Sequence, residues 1–147
     1  MSRSARAAAI LLAVTTSAFA DDRPSPQCPG EPGLTGDLGR LYLYRKDALG
    51  MTNKPDILVD GKNIGAQATL GEYYCLTRPA GSHTIGTTDG HATTVQLASG
   101  KAAYVRFVVE GDQLLGLFSS IEPEAMGEQQ AIEDISFLDY HRLYSTP

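Results

Sequence analysis

The side chains in this 147-residue chain that could do chemistry are three histidines, two cysteines, one arginine set among tyrosines, and a few close carboxylates. An imidazole can ligate a metal or carry a proton near neutral pH, so His83, His91 and His141 come first. His83 and His91 lie on either side of Asp89-Gly90. A two-residue loop there sets Thr88 against His91 and His83 against Gln96. The two rings would then stand well apart along the ladder, about 16 Å at the usual strand rise, too far to share an ion. His83 reads as a strand-entry residue bonded to its turn and His91 as a solvated hairpin flank. His141 lies in the tail with no partner in view.

Nucleophilic chemistry has even less support. Asp89-Gly90-His91 is accounted for by turn chemistry. Ser99 and Ser119-Ser120 lack the Gly-x-Ser-x-Gly elbow between strand and helix that exposes a catalytic serine. Glu122 with Glu124, and Glu133 with Asp134, read as the solvated face of a helix. No catalytic residues, metal ligands or cofactor are expected.

Tyrosines carry the one feature with functional flavour. By alternation Tyr42 and Tyr44 share a face of their strand, while Tyr73 and Tyr74 point to opposite faces of theirs. Arg106 shares a side with Tyr104, and is expected to stack on a tyrosine or pair with a carboxylate at the sheet surface. Tyr42, Tyr44, Tyr73 and Arg106 therefore define a candidate docking surface for a glycan or an extended peptide. The plainer alternative is that the tyrosines cap the sandwich with their hydroxyls in water.

The elements that would position these groups begin after an export signal. Arg3 and Arg6, the apolar run Ala7 to Val14 and the small-residue site Ala18-Phe19-Ala20 predict a signal peptide over 1–20, cleaved after Ala20. The apolar run is far short of the roughly 20 residues a spanning helix needs, so no stable membrane insertion is expected. Cleavage removes two arginines and takes the net charge from −5 to −7, which argues against nucleic acid and anionic lipid as partners. In an oxidising compartment Cys28 and Cys75 are expected to pair, closing a long loop worth up to about 4 kcal/mol. A free Cys75 with Cys28 in a loose tail is the other reading. Lipid attachment at Cys28 is disfavoured, because Ser25-Pro26-Gln27 lacks the small apolar pattern of a lipoprotein site.

Residues 21–38, with four prolines and three glycines, form a Pro/Gly-rich lead rather than regular structure. The domain proper spans 39–135. Its strands are read at Leu41–Tyr44, Ile57–Val59, Lys62–Ile64, Gly71–Leu76, His83–Thr88, His91–Leu97, Ala102–Val109 and Leu114–Ile121. Asp60-Gly61 should make a type I′ hairpin with Val59 opposite Lys62 and Ile57 opposite Ile64. Asp89-Gly90 and Ser99-Gly100 turn the chain again, and Val105, Phe107 and Val109 share a face. Glu122-Pro123-Glu124 resembles a helix start, with proline in the first turn, giving one short helix running to Ile135. The tail 136–147 is ambiguous. The expected fold is all-β: an antiparallel β-sandwich of about seven short strands joined by hairpins, with one short C-terminal helix.

The ordered set Val59-Asp60-Gly61-Lys62-Asn63-Ile64-Gly65, Gly71-Glu72-Tyr73-Tyr74, Pro79-Ala80-Gly81-Ser82-His83-Thr84-Ile85 and Gly100-Lys101-Ala102-Ala103-Tyr104-Val105-Arg106-Phe107 resembles a bacterial envelope group in the domain-of-unknown-function series (number 2846). More loosely it is similar to the PEGA-type sandwich modules. The resemblance spans roughly Gly39 to Ile135 and implies a compact sandwich in the envelope, often as a lipoprotein, an anchor for which this chain has no signal. It carries over no functional residues. The expectation is an exported, periplasmic or secreted, non-catalytic binding or structural module, with an envelope protein or a glycan as partner and the oligomeric state open. The competing readings are a small periplasmic hydrolase built around Arg106, His83 and the tyrosines, and an accessory factor for envelope assembly or stress.

Overall fold

The computed structural model describes residues 25–46, 54–110 and 120–143. The expected signal peptide, its cleavage site, Gly111-Asp112, most of the strand expected at Leu114–Ile121, and Tyr144 lie outside those residues.

In chain order the elements are β1 (Leu38–Tyr44), β2 (Asp56–Val59), β3 (Lys62–Gln67), β4 (Glu72–Pro79), β5 (Gly81–Thr87), β6 (Ala92–Leu97), β7 (Ala102–Glu110), β8 (Ser120–Met126), α1 (Glu128–Ile135) and β9 (Asp139–Tyr140). They form a five-stranded sheet in the order β8-β7-β1-β4-β9 and a four-stranded sheet in the order β3-β2-β5-β6. The all-β sandwich is therefore the architecture, with more strands than anticipated and a mixed pairing. β1 runs antiparallel to β4 but parallel to β7, and β4 is parallel to β9. Side-chain alternation is the same in both pairings, so the pattern could not distinguish them.

The dry core lies between the sheets. Leu41, Leu43, Tyr74, Leu76, Val105, Phe107 and Val109 of the larger sheet meet Ile57, Val59, Ile85 and Val95 of the smaller one. Each fully buried aliphatic or phenyl group contributes about 1.5–3 kcal/mol. The opposite face of the larger sheet is also covered. Tyr42, Tyr44, Tyr73, Cys75 and Tyr104 form a second cluster with Ala131 and Ile135 of α1 and with Cys28 of the lead. The molecule thus has three layers rather than two.

The turns explain the register. Asp60 and Gly61 both take positive φ, at 52° and 75°, as a type I′ loop requires, and Val59 pairs with Lys62 as expected. The pairing of Ile57 with Ile64 does not occur: the register shifts between Asp56 and Leu58, and Asp56 faces Gln67. The β5–β6 loop holds three residues rather than two. His83 pairs with Val95 and Gly86 with Ala92, the Thr87 N–H donates to His91 O, and Gly90 takes φ 99°. That one-residue slip moves Thr87, not Thr88, opposite His91 and Val95, not Gln96, opposite His83. Ser99-Gly100 is not a hairpin; it carries the chain from β6 in one sheet to β7 in the other.

The expected helix start is corrected too. Glu122, Pro123 and Glu124 lie on β8, which among the described residues pairs in its sheet with β7 alone. An edge strand tolerates proline because one side of its backbone has no ladder partner. The helix begins after Gly127, whose extended φ −68° and ψ 145° make it the N-cap. Its carbonyl accepts the first helical hydrogen bond, from Ala131 N at 3.0 Å.

Candidate functional site

The face expected to dock a ligand is occupied by the chain itself. Tyr42, Tyr44 and Tyr73 are 4%, 0% and 6% exposed, so the anticipated outward tyrosine surface is instead an interior one. The rings of Tyr42 and Tyr104 stack at 5.2 Å with planes 11° apart. Burial pushes the phenol pKa values of Tyr42, Tyr73 and Tyr104 up, so these hydroxyls remain neutral donors.

Two structures cover this face. Over Tyr44 and Arg106 sits α1, and it brings Asp134 with it. Asp134 was expected on a solvated face; its side chain is fully buried. It accepts from the Tyr44 hydroxyl at 3.0 Å, Lys46 Nζ at 2.7 Å and Gln130 Nε2 at 3.1 Å. The Arg106 guanidinium stands 3.7 Å away and pairs with Glu124 at 3.0 Å, so Arg106 pairs with carboxylates as expected. Burial by itself would raise the Asp134 pKa, but the bonds from Lys46, Tyr44 and Gln130 outweigh it and hold the carboxyl below its ordinary range. Tyr44 moves strongly the other way, through burial first and then the Asp134 charge.

The lead lies over the tyrosines. Cys28 and Cys75 form a disulfide with Cα atoms 5.6 Å apart, as the pairing expectation required. Around it three tyrosine hydroxyls donate to lead carbonyls: Tyr42 to Pro26 at 2.7 Å, Tyr73 to Gln27 at 3.0 Å and Tyr140 to Pro29 at 3.0 Å. Arg40 donates to Pro32 O at 3.2 Å, and the Thr77 N–H donates to Glu31 at 2.8 Å. A proline-rich segment has few N–H groups and cannot join a ladder, so its carbonyls are satisfied by side-chain donors instead.

The histidines stay apart. His83 Nδ1 is 2.8 Å from Asp60 Oδ2, and Nε2 is 2.8 Å from Pro79 O. Asp60 also accepts from Thr84 N at 2.9 Å. His83 thus ties the first hairpin to the end of β4. The bond to the Pro79 carbonyl raises its pKa against burial, with Asp60 assisting. His91 stands 3.4 Å from Glu122, and His141 3.4 Å from Glu72. Asp89 does more than make a turn, because it accepts the Ile121 N–H at 3.2 Å and fastens β8 to the smaller sheet. Among the described residues no three His, Cys, Asp or Glu gather closely enough to hold a metal ion, and no helix is long and apolar enough to cross a membrane.

What sequence reading missed is a polar groove of about 450 Å³ where the two sheets diverge, lined by Asp56, Asn63, Gln67, Thr69, Glu72 and His141 among others. Asp56 accepts from the amides of Asn63 at 2.9 Å and Gln67 at 3.2 Å. The Tyr74 hydroxyl donates to Gln67 O at 2.7 Å and stands 3.2 Å from Glu72; burial pushes its pKa up to about 12. His141 packs its ring against Tyr74 with centroids 5.4 Å apart. Carboxylates and primary amides presented together match hydroxyl groups, which both donate and accept. The residues come from β2, β3, β4 and the tail, and the shifted β2–β3 register that helps bring them together was not expected from the sequence.

No family model, no curated protein and no solved structure matches this chain.

Proposed function

We propose that the chain is an exported, non-catalytic binding module of the bacterial cell envelope, related to the group in the domain-of-unknown-function series (number 2846), and that its ligand is a glycan. The observation that carries this reading is the open groove in which Asp56, Asn63, Gln67 and Glu72 present acceptors and amide donors beside the His141 ring. Export is supported by the disulfide, since such bonds persist in oxidising compartments. The non-catalytic part is supported for His83, whose two ring nitrogens are both engaged, by Asp60 and by the Pro79 carbonyl.

Titration of the chain from Asp21 onward with soluble peptidoglycan fragments and with lipopolysaccharide core oligosaccharide tests it, followed by NMR. Saturable shifts confined to β2, β3 and the start of β4, weakened at least tenfold by Asp56→Ala, are expected. Shifts that fail to saturate for both ligand sets defeat the reading. A small hydrolase is the second reading, favoured by Glu72 and His141 meeting in this same groove. It predicts cleaved product in the same tubes, lost in Glu72→Gln.

A further inference from the structure

Residues 25–32 are held on the sheet in an unusual way. The donors that hold them come from three strands, Tyr42 on β1, Tyr73 on β4 and Tyr140 on β9, and all three address main-chain carbonyls rather than side chains. Arg40 extends the series to the carbonyl of Pro32. The platform therefore recognises mainly the main-chain carbonyls of a segment poor in N–H groups, one that turns at Cys28–Glu31, where the Glu31 N–H donates to Cys28 O and Gly30 takes φ 83°. Aromatic grooves that receive proline-rich segments work on a related principle, because proline already restricts the free segment and little freedom is lost on docking. The platform also continues past the lead. A cavity of about 310 Å³ lies between the lead and α1, lined by Pro26, Gln27, Tyr73, Ile132 and Leu138 among others. Phe137, beside it in the chain, is 85% exposed.

Only one covalent bond fastens the lead. Cys75 is buried at 2% exposure while Cys28 is half-buried in the lead above it, so an attacking thiolate reaches the Cys28 sulfur first. A dithiol reductant supplies two electrons and two protons: the Cys28–Cys75 S–S bond breaks, two thiols form, and the dithiol becomes a disulfide. The remaining hold on the lead is a handful of hydrogen bonds, each of small net worth and set against the entropy of ordering about a dozen residues.

We propose that the Tyr42–Tyr73–Tyr140 platform is a docking site for a proline-rich segment of a partner protein with the lead's turned backbone, occupied in the oxidised chain by its own lead and opened by reduction of Cys28–Cys75. The lead is the template for the ligand: it shows which backbone shape the platform accepts. The site is distinct from the polar groove, on the far side of the larger sheet, and stands whether or not the groove binds glycan.

The test uses a fluorescent peptide of residues 24–33 with serine replacing Cys28, titrated against oxidised chain, chain reduced with a dithiol, and Cys28→Ser. Binding at least tenfold tighter to the reduced chain and to Cys28→Ser than to the oxidised chain is expected. Tyr42→Phe combined with Tyr73→Phe should weaken it at least tenfold, while Asp56→Ala should leave it unchanged. Hydrogen exchange supplies the folding control. After reduction, amides of 25–36 should exchange quickly while β1, β4 and β7 stay protected. Equal affinity for oxidised and reduced chain, no binding to reduced chain, or loss of protection throughout β1 and β4 overturns the proposal. A concentration-dependent dimer of reduced chain that excludes the peptide also overturns it, naming a second copy as the occupant.

Discussion

The two faces of the five-stranded sheet are both buried, and by different means. The inner face packs Leu41, Leu43, Val105 and Phe107 against a second sheet almost wholly through apolar area, with the Tyr74 hydroxyl donating to Gln67 O. The outer face carries Tyr42, Tyr44, Tyr73, Tyr104 and Arg106, and burying it requires a partner for each hydroxyl and charge. Those partners are few: the Asp134 carboxylate on α1 and a row of lead carbonyls. The inner face is held by area, the outer by matched donors and one covalent bond. A cover of the second kind can be removed without dismantling what lies beneath it, which is why the docking proposal concerns the outer face.

The contrast sets the expected order of mutational effects. Phe107→Ala, which empties a fully buried site, should cost about 3–5 kcal/mol, read from urea unfolding. Cys28→Ser should cost less, up to about 4 kcal/mol, mostly through a freer unfolded chain. Its native inner-face exchange protection should persist; if it collapses as in Phe107→Ala, the two faces are not separable.

Asp134 gives the next effect through pH. Its folded pKa lies below the ordinary 3.8, so its contribution is present above that value and is lost as pH falls through the folded one. Stability should drop as acid is added below about pH 4, and Asp134→Asn should flatten that limb, measured as urea midpoints from pH 5 to 2.5. His83 has the opposite sign. Its folded pKa is raised above 6.5, so its contribution is full below that value and is lost as pH rises through the folded one. The stability gap between the unaltered chain and His83→Gln should therefore shrink between pH 6 and 9. The smallest expected effect is Tyr42→Phe, which deletes one bond to Pro26 O at about 1 kcal/mol and should speed exchange in the lead alone. A cost near that of Phe107→Ala would abolish the distinction between the faces.

Several of these features were legible in the residues. Asp60-Gly61 required positive φ at consecutive positions, and the hairpin is there. The period of two placed Val105, Phe107 and Val109 together, and the same alternation split Tyr73 from Tyr74 correctly between the two faces. Other features depended on choices that local pattern leaves degenerate. Glu122-Pro123-Glu124 suits a helix start and an edge strand equally, and pairing with β7 selected the strand. That shift moved the helix start to Gly127, and with it Asp134 from solvent to the same buried side as Ala131 and Ile135. A third residue in the Thr88-Asp89-Gly90 loop slipped the β5–β6 ladder by one.

Composition and spacing by themselves determined an all-β chain with tight reversals, a cysteine pair and a tyrosine-bearing face, because turn chemistry and side-chain alternation act over a few residues. Which surface that face would meet was decided only in three dimensions. Tyr42 sits on β1 between Leu41 and Leu43, yet its hydroxyl finds Pro26 and its ring finds Tyr104, contacts between segments that come together only when the sheets assemble. The polar groove has the same origin, since Asp56, Glu72 and His141 lie on separate segments and become neighbours only through the register of β2 with β3 and the return of the tail beside β4.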